Sequence, residues 1–150
     1  MNEKYEELKK KYDLPNFKEL DSDFELYSID EDDDLIREIL KKIYEKVDSY
    51  TKFLEDLLQP DSRISLMREA STLTPVEQAL VTKLHMNGML ITRELLEVNL
   101  EYDETIAAKI IKKDYEDWQK MKLELKKIVI KLKESWMKEI KTEQDRGYFG

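Results

Sequence analysis

The chain of 150 residues has no cysteine, one histidine, three glycines and three prolines. Without cysteine there is no disulfide, no thiolate nucleophile and no cysteine-ligated zinc, and such a composition suits a reducing compartment. Glycines stand only at 88, 147 and 150, so no glycine-rich phosphate loop can be built. A serine nucleophile would have His85 as its only conventional base, and no glutamate three residues before His85 supplies the Glu-x-x-His step of carboxylate-bridged di-iron bundles. Nowhere do eighteen apolar residues run together, and the opening Met1 to Glu7 lacks the apolar stretch of a signal peptide. The expectation is a cytoplasmic protein with no membrane span, no cofactor and no catalytic motif.

What is present is apolar periodicity. Ile36, Leu40, Ile43, Val47, Tyr50, Leu54 and Leu57 advance by steps of four and three, and Ile111, Trp118, Met121, Leu125, Ile128 and Leu132 repeat the pattern. Such steps keep side chains on one stripe of a helix, whereas the faces of a strand alternate every residue. A chain that is 41% hydrophobic and 40% charged reads as a helical bundle with charged outer faces, too apolar for wholesale disorder. The predicted fold is all-α: one domain over residues 1–150, with three long helices near 30–58, 75–101 and 104–143. Short helices are expected at the N-terminus and near 62–70, and a flexible tail over 145–150.

Local signals set the boundaries. Tyr5, Leu8 and Tyr12 share one side of a first helix, which Leu14-Pro15 stops because the residue before proline is pushed out of the helical region. Phe17, Leu20, Phe24 and Tyr27 place a second short helix over 17–26, flat against the bundle. Ser28 or Asp30 would cap the first long helix, with the acids from Asp30 to Asp34 in its first turn, where the helix dipole favours negative charge. The run has no glycine and makes no calcium loop. Ile64, Met67 and Ala70 are expected to face inward. Thr74-Pro75-Val76-Glu77 combines a threonine cap, proline at the first helical position and glutamate at the third. The helix it opens is apolar on several sides and is expected to be the most buried, with Gly88 marking a close helix crossing. Asp103 caps the last helix, a rod of roughly 60 Å that outruns the others and needs cover.

Charge suggests the cover. Residues 1–34 hold 13 acids and 5 bases, and residues 103–150 hold 10 and 12, so the net charge of −8 sits at the N-terminal end. That end is expected to lie along the last helix, with its acids beside Lys126, Lys127, Lys131, Lys133 and Lys138; a basic partner for the acids, or a homodimer as the cover, is the alternative.

Four features carry functional readings. On the last helix Leu123, Ile130 and Met137 are seven apart and lie nearly opposite Leu125 and Leu132, with Val129, Trp136 and Ile140 along one flank. This second stripe is expected to lie under the N-terminal helices; left open, it would be a protein-binding face with Trp136 as anchor. The aromatic end Arg146-Gly147-Tyr148-Phe149-Gly150 either tucks back or serves as a docking peptide. The eleven lysines between residues 109 and 141, interleaved with Tyr115, Trp118 and Trp136, are raw material for phosphate contacts and base stacking; a solvated face on which they pair with Asp114, Glu116, Asp117, Glu124, Glu134 and Glu139 is the plainer account, and an acidic chain repels nucleic acid at long range. Glu94, Glu97 and Glu101 share a helix face that could attract a hard cation, with Arg93 pairing with Glu97 as the plainer account. His85 is read as a buried or half-buried structural residue.

The stretch from Leu14 to Glu25, Leu-Pro-Asn-Phe-Lys-Glu-Leu-Asp-Ser-Asp-Phe-Glu, followed by Leu58-Gln59-Pro60-Asp61, resembles a set of small all-helical archaeal proteins of unassigned function. The resemblance implies an archaeal cytoplasmic setting and carries over no catalytic residue. The reading is a non-catalytic protein-interaction or scaffold module with a protein partner, presenting Leu123, Ile130, Trp136, Met137, Tyr148 and Phe149. The alternative is a nucleic-acid or ribosome-associated protein using Lys126, Lys127, Lys131, Lys133 and Lys138.

Overall fold

The computed structural model describes residues 2–30 and 34–147, and every regular element among them is a helix. Helices α1 (Asn2–Tyr12) and α2 (Phe17–Phe24) lead through a 3-10 turn (Leu26–Ser28) to α3 (Leu35–Leu58). The short α4 (Ile64–Ser71) connects α3 to α5 (Pro75–Leu100), and α6 (Glu104–Asp145) follows after three residues. No described helix is long and apolar enough to cross a membrane.

The starts of the long helices are fixed by side chains that accept the amide protons left free in a first turn. Thr74 and Glu77 form a reciprocal capping box at α5, and Asp103 accepts from the Ile106 amide at α6. At α3 the cap is Asp34, which accepts from the Arg37 amide, so the helix starts later than Ser28 or Asp30 would place it. The acids therefore precede the helix rather than fill its first turn, and residues 31–33 lie outside the described residues. The boundary lies where Asp34 is extended and its carboxylate takes the Arg37 amide, while upstream Leu26 and Ile29 turn into the core.

The core is built on the two ladders. All of the predicted rungs on α3 and α6 are buried except Tyr50, which is half-buried against Trp118 at 5.6 Å between ring centroids. Burying each such side chain contributes roughly 1.5–3 kcal/mol. α3 and α5 run antiparallel, with Arg37 stacked on the Tyr102 ring at one end and Thr51 against Gly88 in the middle. α6 returns antiparallel to α5, pinned by Lys113–Glu94 at 2.9 Å and Lys131–Glu77 at 3.0 Å. The crossing at Gly88 is as close as its sequence suggested: a Cβ there would lie 2.1 Å from the Thr51 hydroxyl oxygen.

Two burial expectations are corrected. α5 is not enclosed: Val76, Met86, Leu90, Leu96 and Leu100 are exposed, because among the described residues its main packing is against α3 and α6, and α1 and α2 lie on α3 and α6 instead. On α4 it is Leu66 that turns inward, while Ile64 and Met67 are exposed and Ala70 is half-buried, since so short a helix touching α3 on one side has a single inward row.

α6 has 42 residues against 24 in α3 and 26 in α5, about 63 Å against 36 and 39 Å. Its last buried residue is Leu132, and thirteen more residues continue to Asp145, two beyond the boundary read from the sequence. α4 lies beside this extension, with Arg68 paired to Glu139 at 3.0 Å and Trp136 Nε1 donating to Glu69 at 3.2 Å. α1 and α2 cover the other half of α6. Tyr12 donates to Glu104, Tyr115 to Glu19 and Gln119 to Asp23, while Lys112 pairs with Asp13 and Lys122 with Asp23 at 2.7 Å each. Among the described residues, the N-terminal acids Asp13 and Asp23 thus meet Lys112 and Lys122, not Lys126 to Lys138, because Leu20 and Phe24 anchor α2 in the core next to Trp118.

Candidate functional site

With 100° between successive residues, positions seven apart nearly superimpose along a helix. Beyond Glu104 at its start, the α6 residues whose side chains bond the N-terminal segment fall in two such rows: Lys112 and Gln119 in one, Tyr115 and Lys122 in the next. Past residue 122 the cover ends and the rows run on, the first through Lys126 and Lys133, the second through Val129 and Trp136. Beside them lies Leu123, Ile130 and Met137. The expectation that N-terminal helices bury this stripe is overturned: Leu123 is 67% exposed, Ile130 38% and Met137 61%, and Val129 and Ile140 are exposed too. α2 is eight residues long, about 12 Å, and its anchored end cannot reach them. Trp136 is half-buried and tied to Glu69, so it forms the wall next to α4 rather than a free anchor. Tyr148 and Phe149 lie outside the described residues, as does half of the predicted tail, whose first residue, Asp145, ends α6.

The five lysines do not make one surface. Lys131 is bound to Glu77 and Lys127 to Glu124, and these two together with Lys138 lie on the flank of α6 toward α5. Lys126 and Lys133 stand within the open apolar face and carry no ion pair among the described residues. On its other edge this face meets a groove of about 550 Å³ between α5 and α6, lined by Leu80, Leu90, Leu123, Lys83 and Lys120 among others. No protein-family model, curated protein or solved structure matches this chain. The reading of the face therefore rests on its chemistry: apolar rows on either side of two unpaired lysines, with no nucleophile, base or metal set among them.

The remaining candidates resolve locally. Glu94 turns to Lys113, Glu97 and Glu101 are exposed, and among the described residues no three metal-ligating side chains come together. Arg93 does not pair with Glu97; both point to solvent. His85 is half-buried, with its Nε2 enclosed and without a hydrogen-bond partner.

One acid of the expected solvated face of α6 is buried instead, because it falls in phase with the core ladder. Asp114 occupies the rung missing between Ile111 and Trp118, 1% exposed, and neither of its carboxylate oxygens has a partner. Loss of water, and then the neighbouring Glu94 carboxylate, push its pKa up to about 7, against a smaller opposing pull from Lys113. The signal was legible: the second ladder skips one step, and an acid stands where the rung should be.

Proposed function

We propose that the protein is a non-catalytic interaction module of the cytoplasm, and that its working surface is the open face of α6 around Leu123, Ile130 and Met137. The observation that carries this reading is that the core closes without these side chains, yet they recur every seven residues along one side of the longest described helix, with Val129 and Ile140 exposed beside them. Exposed large apolar side chains scattered singly are ordinary, whereas a row of them beside unpaired charges marks a place where another surface settles. Trp136 supports the face from its edge.

The test is affinity capture from lysate of the source organism, with and without nuclease, using the wild-type chain and the pair Ile130→Lys/Met137→Lys. Exposed positions accept lysine, so the variant keeps the wild-type melting temperature within a few degrees. A protein that survives nuclease and is lost by the variant supports the reading. Capture that is unchanged by the substitutions removes this face from consideration, and capture that vanishes with nuclease transfers the role to a nucleic-acid contact, for which Lys126 and Lys133 are the lysines of the predicted set that stand together without an ion pair among the described residues.

A further inference from the structure

We infer that the occupant of this face is an acidic amphipathic helix of a partner protein, seated end to end with α2 along the same rows of α6; the inference rests on the interaction reading above. Two observations lead to it, and the first is continuity. α2 shows how this side of α6 is covered. Leu20 and Phe24 go into the core, while Glu19 and Asp23, four residues apart and each one position before them, take Tyr115, Gln119 and Lys122. Those contact rows do not stop where α2 stops. Seven residues after Gln119 comes Lys126 and seven later Lys133, and seven after Lys122 comes Val129.

The second observation is charge. Lys126 and Lys133 sit between the Leu123, Ile130, Met137 row and the Val129, Trp136 row, and the described structure gives neither a carboxylate. A basic or neutral helix laid on the apolar rows would bury these ammonium groups beside nothing that compensates them. A helix with carboxylates at three- or four-residue spacing beside its apolar stripe satisfies both, repeating the arrangement of Glu19 with Leu20 and Asp23 with Phe24. A second copy of this chain docked through the same face brings Lys126 and Lys133 against like charge.

The probes are two synthetic helical peptides with one shared apolar stripe, one flanked by glutamates and the other by lysines. They are titrated into the full chain and followed by NMR chemical-shift mapping and fluorescence anisotropy. The glutamate peptide is expected to shift residues 123–140 and to bind at least tenfold more tightly than the lysine peptide at low salt. The preference narrows as salt rises and reverses in Lys126→Glu/Lys133→Glu. Equal binding of both peptides at 123–140 overturns the acidic partner and leaves the interaction face standing. Binding of neither, or shifts confined to α5, overturns the inference, and the capture experiment then judges the face separately. Concentration-dependent dimerisation through residues 123–140 in sedimentation would show a second copy as occupant and overturn it as well.

Discussion

Replacing Asp114 with asparagine should make the protein more stable in a strongly pH-dependent way. The folded state holds the Asp114 proton up to a pH of about 7, whereas an aspartate in the unfolded chain releases it above 3.8. The unfolded state therefore ionises first, and folding is progressively disfavoured as pH climbs from about 4 to about 7; above that the loss levels off. Every tenfold difference in proton affinity between the two states corresponds to about 1.36 kcal/mol, so the carboxyl costs the native state roughly 1 kcal/mol at pH 4.5, roughly 3 at pH 6 and roughly 4 at pH 8. Asparagine does not ionise. Its amide is also under-satisfied in that layer, but this adds a constant at every pH. The other carboxylates, such as Glu77, whose capping bond from the Thr74 amide and ion pair with Lys131 hold it below its ordinary range, are common to both proteins and cancel in the difference. Urea unfolding followed by circular dichroism at the three pH values should show the variant gaining about 3 kcal/mol on the wild type between pH 4.5 and pH 8. A stability difference that stays flat across this range would refute the argument, since it would mean that Asp114 is charged in the fold or solvated by water that enters the layer.

Gly88→Ala should cost about 1–3 kcal/mol, because the added methyl meets a Thr51 hydroxyl already fixed by its 2.7 Å bond to the Val47 carbonyl. Thr51→Ala in the same chain should restore most of that loss, and a thermal-melt double-mutant cycle with no coupling would remove the close crossing as the cause. Thr74→Ala removes the hydroxyl that accepts from the Glu77 amide, while the residue 74 amide can still donate to the Glu77 carboxylate, and should lower stability by about 1 kcal/mol, readable as a fall of several degrees in Tm. Asp23→Ala, which leaves Lys122 and Gln119 without their acceptor, should raise amide exchange in α2 before it changes exchange in α3. Uniform acceleration in both helices would show that α2 does not open on its own.

The all-α class and the positions of α3, α5 and α6 were readable because their causes are local: ladder spacing, a capping box, an aspartate cap. What the sequence misplaced depended on distant partners. Whether Leu123 and Met137 are covered is decided by how far α2 reaches once Phe24 is pinned beside Trp118, and no local pattern encodes that reach. The same holds for α5, whose many apolar residues look equally suited to burial until the number of flanking helices is known. Helical phase placed Leu123, Ile130 and Met137 in one row opposite the buried ladder, but that the row is exposed could be seen only once α2 was found beside the first half of α6.

The contacts that fasten the N-terminal helices also impose an order on how the chain is made. Tyr12 waits for Glu104, Asp13 for Lys112 and Asp23 for Gln119, partners 92, 99 and 96 residues downstream. At a synthesis rate of roughly 5–20 residues per second, α1 and α2 spend about 5–20 seconds outside the ribosome before the surface they settle on exists. During that interval Leu20 and Phe24 have no home in α6, and it falls to the dense acids around them to keep the nascent segment dispersed.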